Sequence, residues 1–167
     1  WSNAVSLAES VGGVVPEGNK ESGGLLDEVA NLLEAGQPVL GEFEAEYLSL
    51  PKEVLITVMK KHQRYFPVEN KTSGDLLNNF VTFANGPCDV SAVKSGNEAV
   101  LRARYQDAKF FYENDCKESL ETLRPKLEGI TFQTELGSML KKTERAENLA
   151  PKVAAALGYG DDASIVD

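Results

Sequence analysis

The chain has 167 residues, 42% of them hydrophobic, and a net charge of −9. That length allows one domain, or one domain and the start of another, and no apolar run approaches the ~20 residues that span a bilayer, so a soluble chain with no membrane partner is expected. The charge disfavours a polyanion, but unevenly: residues 1–50 hold one base, Lys20, against nine acids, whereas residues 51–167 hold sixteen bases against seventeen acids.

In chain order, Trp1, Ala4, Val5 and Ala8 share the face of a first helix that Gly12-Gly13 stops. Gly18 to Gly24 reads as a polar loop. Leu25, Leu26, Val29, Leu32 and Leu33 recur at helical spacing, with Gly36 as the stop. Pro38 to Phe43 reads as a strand. Pro51 suits the first turn of a helix whose buried stripe is Val54, Leu55, Val58 and Met59. Arg64 to Val68 and Phe80 to Ala84 read as strands, paired in a hairpin through a turn at Asn70–Asp75, and Asn85-Gly86-Pro87 breaks the second. Asn97 to about Asn114 is a long helix. Asp115, with Glu118 three residues on, is positioned to cap the next helix, which ends at Gly129. Ile130–Phe132 is short and extended. Ser138 to Leu157 is a last helix, with Pro151 inside it and Gly158 past its end. The pattern predicts a mixed α/β fold over residues 1–136, turning helical from about Gly137. The start at Trp1, which is not Met, and the end at Asp167 predict a stretch taken from a longer chain.

Familiar catalytic patterns are absent. Neither a P-loop nor a dinucleotide glycine fingerprint is present, and no nucleophile elbow surrounds a serine. The single histidine has no second His or Cys nearby, and the carboxylates show no metal-loop spacing, so neither a catalytic nor a metal residue is expected. Cys88 and Cys116 fit no metal or redox spacing and read as two thiols in a reducing compartment. Two constellations could meet RNA. Lys60, Lys61, His62 and Arg64 form a basic turn, in which His62 reads first as a helix-end residue bonded to backbone and second as an RNA contact. On the long helix, Arg102, Gln106 and Lys109 fall on one stripe at i, i+4, i+7, with Arg104 and the aromatics Phe110, Phe111 and Tyr112 close by. Charge for phosphate and flat faces for bases are what an RNA surface requires. The alternative is a solvated face whose bases pair with Glu98, Asp107 or Glu113. Lys141, Lys142 and Arg145, offset by Glu144 and Glu147, read as a solvated helix face.

The residues His62-Gln63-Arg64-Tyr65-Phe66-Pro67-Val68, Gly96-Asn97-Glu98, Val100-Leu101-Arg102-Ala103-Arg104, Asp107-Ala108-Lys109-Phe110-Phe111-Tyr112, and Leu136-Gly137 with Lys142 and Arg145 resemble, in order and spacing, the middle of the glycyl-tRNA synthetase β subunit. The resemblance runs from about Leu25 to Leu157. It departs at Tyr105, where an aliphatic residue is commoner, and at Glu135, where a base is common. The resemblance implies part of an editing-type (B3/4-like) synthetase module, followed by the start of an all-helical, HD-like domain at 137–167. It implies tRNA-Gly as partner, bound through Lys60, Lys61, His62, Arg64, Arg102, Arg104 and Lys109. It further implies an α subunit or fused α part that carries the aminoacylation site with its ATP and Mg, in a heterotetramer of two α and two β subunits or a fused dimer. The setting implied is the bacterial cytoplasm or the interior of a plastid or mitochondrion. This stretch itself is expected to hold no cofactor. Glycine has no side chain, so a tight pocket rejects every larger amino acid by clash, and a hydrolytic editing centre has little to do. A tRNA-binding module is therefore expected, with a structural scaffold as the alternative and a residual hydrolase around His62 as a third reading.

Overall fold

The computed structural model describes residues 1–16 and 24–159; the loop expected at Gly18–Gly24 falls almost wholly outside them. The chain forms two compact units, Trp1–Glu113 and Asn114 onward. They part upstream of the change expected near Gly137.

In the first unit the elements run α1 (Ser2–Ser10), β1 (Gly13–Val14), α2 (Leu25–Leu32), β2 (Gly36–Glu42), a 3₁₀ turn (Ala45–Ser49), α3 (Lys52–Thr57) continuing into a π-helical turn (Val58–Gln63), β3 (Phe66–Asn70), β4 (Leu76–Asn85) and α4 (Val90–Asp115), whose last two residues belong to the second unit. The four strands form one antiparallel sheet in the order β1-β3-β4-β2. The mixed sheet-and-helix class is therefore as the sequence pattern indicates. The expected hairpin is present, pairing Phe66 with Val81 and Pro67 with Phe80, and the register shifts between Pro67 and Glu69.

The period of two along β4 sends side chains to two different cores. Leu76 and Phe80 join Phe43, Tyr47, Leu55, Met59, Tyr65, Leu101 and Tyr105 on one face, beneath α3 and α4. Leu77, Val81 and Phe83 join Ala4, Ala8, Val29, Phe66 and Val68 on the other, beneath α1 and α2. Helices thus cover both faces of an antiparallel sheet, which accounts for the apolar residues at odd and even positions alike in Phe80–Phe83. On the α1 side, Trp1 meets Phe66 edge-on and lies nearly parallel to Phe83, with ring centroids 5.3 and 6.3 Å away.

Four boundaries differ from the sequence reading. Gly36 opens β2 instead of closing α2, and Leu32 of the helical repeat is 60% exposed. α4 begins at Val90, seven residues before the expected Asn97, because the Asp89 carboxylate accepts from the amides of Ser91 and Ala92 and caps it. Arg64 is not on a strand but in a left-handed turn, at φ 56°. Asp115 ends α4, and Ser119 caps the following helix by accepting from the Thr122 amide at 3.3 Å.

The second unit holds α5 (Leu120–Leu123), a 3₁₀ turn (Arg124–Gly129), a small antiparallel pair β5 (Thr131–Gln133) and β6 (Gly137–Ser138), and α6 (Met139–Ala156). Ser138 caps α6 by accepting from the Lys141 amide, while its own hydroxyl donates to Glu128. Arg124 pairs with Glu147 across the unit. Lys142 lies 4.4 Å over the Phe132 ring, and Arg145 donates to the Leu136 carbonyl, so these two bases of α6 serve the unit itself.

Two glycines separate packing from propensity. A Cβ on Gly41 of β2 would stand 2.3 Å from the ring of Phe80, its pairing partner, whereas a Cβ on Gly96, inside α4, would meet nothing within 4 Å. Gly41→Ala should therefore cost about 1–3 kcal/mol by overpacking. Gly96→Ala should stabilise by about 0.5–1 kcal/mol, through chain entropy alone. Thermal melting of the two variants checks this; equal melting temperatures would contradict it.

Candidate functional site

The basic turn is built by the end of a helix. α3 widens into the π-helical turn, and the chain reverses through Arg64, where the Tyr65 amide donates 2.9 Å to the Met59 carbonyl. This resembles the usual left-handed helix ending, one residue wider, at a position where glycine is the ordinary occupant. Arg64 is the one non-glycine residue at positive φ among the described residues. Lys61 and His62 on the same turn are exposed, and Lys60 is half-buried. The His62 side chain makes no hydrogen bond or ion pair among the described residues, so neither the expected backbone bond nor a carboxylate partner accompanies the ring. The Arg64 Nε donates to Glu28 Oε1 at 2.6 Å, with both side chains about half exposed. Left-handed backbone costs a residue with a Cβ about 1–2 kcal/mol, and an exposed ion pair returns about 0.2–1 kcal/mol. The pair with Glu28 does not offset the strain.

The second constellation lies along α4. Leu101 and Tyr105 are fully buried and orient the helix. Asn97 turns inward: its Oδ1 accepts a short hydrogen bond from the Tyr65 hydroxyl, and its amide donates to the Val93 carbonyl at 2.7 Å. Glu98 accepts from the Glu42 amide at 2.9 Å and lies 3.7 Å from Lys94. Arg102 pairs with Glu44, and Lys109 with Glu46 at 3.7 Å. Arg102 and Lys109 are thus paired, but with the acids beside the 3₁₀ turn and not with Glu98, Asp107 or Glu113. Arg104 is exposed, with no ion pair among the described residues. Burial pushes the Glu44 carboxyl up, but hydrogen bonds from Arg102 and from its own backbone, together with the guanidinium charge, outweigh this and hold it below the usual range. Its other oxygen is buried without a hydrogen-bond partner among the described residues. Glu42, Phe43, Glu44, Lys94, Glu98 and Arg102 line a cleft of about 280 Å³ there.

The sequence-predicted residues thus form two groups in one unit, Lys60, Lys61, His62 and Arg64 on the turn and Arg102, Arg104 and Lys109 on the helix, and the Tyr65–Asn97 bond ties the two segments together. Sequence reasoning missed Glu28, Glu44 and Glu46 as partners; the excess of acid in residues 1–50 was the available signal. Among the described residues no three His, Cys, Asp or Glu side chains stand together to hold a metal, and no helix is long and apolar enough to cross a membrane.

Comparison with known proteins bears on what this arrangement belongs to. Residues 1–165 match the family described as glycyl-tRNA synthetase beta subunit. The chain belongs to that family. It is 52% identical over 135 residues to the glycine–tRNA ligase beta subunit of Synechocystis sp., covering 80% of this chain and 19% of that protein. It is 49% identical over 139 residues to the beta subunit from Bacillus subtilis, covering 83% and 20%. It is 48% identical over 159 residues to glycine–tRNA ligase, chloroplastic/mitochondrial 2, of Arabidopsis thaliana, covering 94% and 14%. The chain therefore spans a fifth or less of the length of these relatives.

Burial pushes the Tyr65 hydroxyl up to about 12, and Tyr105 further. Each folded value lies above the ordinary value near 10. Their stabilisation is therefore present in full below about pH 10, and that of Tyr65 is lost as pH climbs through about 12. The melting temperature should fall across that window, and fall less steeply in Tyr65→Phe. Asn97→Ala, which removes the acceptor, should cost about 1 kcal/mol at neutral pH. An alkaline melting profile of Tyr65→Phe that superimposes on wild type would overturn the assignment.

Proposed function

We propose that this chain is the part of a glycine–tRNA ligase β subunit that supports and positions tRNA-Gly during ATP-dependent charging. The observation that carries this reading is the family match over residues 1–165. In it, an α subunit or fused α part holds the aminoacylation site with its ATP and Mg, in a heterotetramer of two α and two β subunits or a fused dimer. The first unit takes the role of a B3/4-like module without its own chemistry, and the chain from Gly137 begins an HD-like helical domain. The compartment is the bacterial cytoplasm or a plastid or mitochondrial interior, in keeping with the bacterial and organellar names of the relatives. Lys61, His62, Arg102 and Arg104 offer exposed positive or titratable groups on the first unit.

A second reading, a scaffold within the same synthetase, is favoured by one observation. Arg64, Arg102 and Lys109 each face a carboxylate at hydrogen-bond or ion-pair distance. The two readings differ in what happens at Arg102 and Arg104. If tRNA lies here, Arg104→Ala should weaken tRNA-Gly binding by the full-length enzyme, lower the slope of log affinity against log salt by about 0.7–0.9, and leave the melting temperature unchanged. Arg102→Ala should also lower the melting temperature, because it leaves Glu44 unpaired. A scaffold predicts wild-type affinity and salt slope in both variants. Measuring tRNA affinity at several salt concentrations, beside thermal melting, decides.

A further inference from the structure

Arg64 stands where a helix ending favours glycine, and the ion pair with Glu28 does not account for its presence. A helix C-terminus attracts cations through its dipole, and this explains Lys60, Lys61 and His62 in the last turn. It does not explain an arginine one residue later, held in the left-handed conformation at φ 56°. The backbone on either side is fixed: the Tyr65 amide is bonded to Met59, and the Tyr65 ring, 4.8 Å from and nearly parallel to the Phe80 ring, is anchored by Asn97. The turn therefore presents the Arg64 side chain from a rigid base, beside exposed Lys61 and His62. Among the described residues, what holds the guanidinium is a single carboxylate from α2, exposed to much the same extent as the arginine itself. Such a contact is readily exchanged for a phosphate, which offers the same two-oxygen geometry to a guanidinium.

We propose that the Lys61-His62-Arg64 corner is a phosphate-binding site for the RNA backbone, and that Glu28 is a stand-in anion that Arg64 leaves when RNA arrives. The inference rests on the tRNA reading above and adds the contact and the exchange. Lys61 supplies a second cation. The exposed His62 ring beside it offers a further hydrogen-bonding group to a phosphate oxygen. Around it, Glu28 is the carboxylate that faces Arg64; its removal leaves the arginine available and makes the site more positive. Backbone strain matters to the test, because glycine at position 64 relieves it and the variant should fold.

The experiment uses the full-length β subunit with its α partner, with tRNA-Gly as the probe. Arg64→Gly should raise the dissociation constant several-fold and lower the salt slope by about 0.7–0.9, the signature of one lost phosphate contact, while the melting temperature holds or rises. Glu28→Gln should leave affinity unchanged or tighten it. Arg64→Gly with wild-type affinity and slope overturns the proposal, as does Glu28→Gln weakening binding as much as Arg64→Gly. Hydroxyl-radical footprinting on the protein separates the two levels. If tRNA protects the first unit but not residues 61–64, only this corner is wrong; if it protects nothing in the unit, the tRNA reading itself fails and the corner with it.

Discussion

Tyr105 is the side chain on which the arrangement of the first unit depends. It is fully buried in the middle of α4, with the Phe43 and Tyr47 rings at centroid distances of 5.0 and 5.4 Å. Its hydroxyl donates to the Leu55 carbonyl at 3.3 Å. One residue thus joins α4 to the end of β2, to the 3₁₀ turn and to α3. An aliphatic residue could fill part of that volume but would leave the Leu55 carbonyl without this donor. Everything exposed on α4 takes its direction from this ring, because at 100° per residue a helix fixed at Leu101 and Tyr105 has no freedom left in its other faces.

Charge follows from the same geometry. Arg102 and Lys109 lie on one flank of the buried stripe, against the segment that carries Glu44 and Glu46. Arg104 lies on the opposite flank. Three of the acids of the first fifty residues, Glu28, Glu44 and Glu46, each face a base that the sequence reading assigned to RNA. Exposed pairs of this kind contribute little to stability individually. Any phosphate that approached these bases would have to compete with a carboxylate already in place.

Much of the fold was legible. The β3–β4 hairpin, the first helix and its glycine stop, and the last helix follow from periodicity and turn chemistry. What was not legible involved partners distant in sequence or signals that cut both ways. Asp89 capped α4 well upstream of the apolar repeat. Gly36 followed a helix pattern but belongs to β2, where it stands in register with Asn85. Arg64 sat next to a run of aromatic β-formers, and nothing local distinguishes the last residue of a turn from the first of a strand. In the two candidate segments the side chains split, with Tyr65, Asn97 and Glu98 facing inward and Arg64 and Arg104 outward, and no local signal in the sequence marks that split.

That split shows why a motif is a poor guide to a surface. Within Asn97-Glu98-Ala99-Val100-Leu101-Arg102-Ala103-Arg104, the inward positions are fixed by a tyrosine hydroxyl, a backbone amide and a core. Substitutions there act on folding first and would disturb RNA binding only through it. The outward positions carry no such constraint. An arginine at one of them, with no ion-pair partner among the described residues, has its electrostatic free energy available to a ligand. An arginine paired with a carboxylate has only the difference between two anions available. Arg104 and Arg64 are therefore different in kind although both are exposed: the first would add a phosphate contact outright, the second would trade one, and only the second carries a strained backbone that its internal contact does not explain.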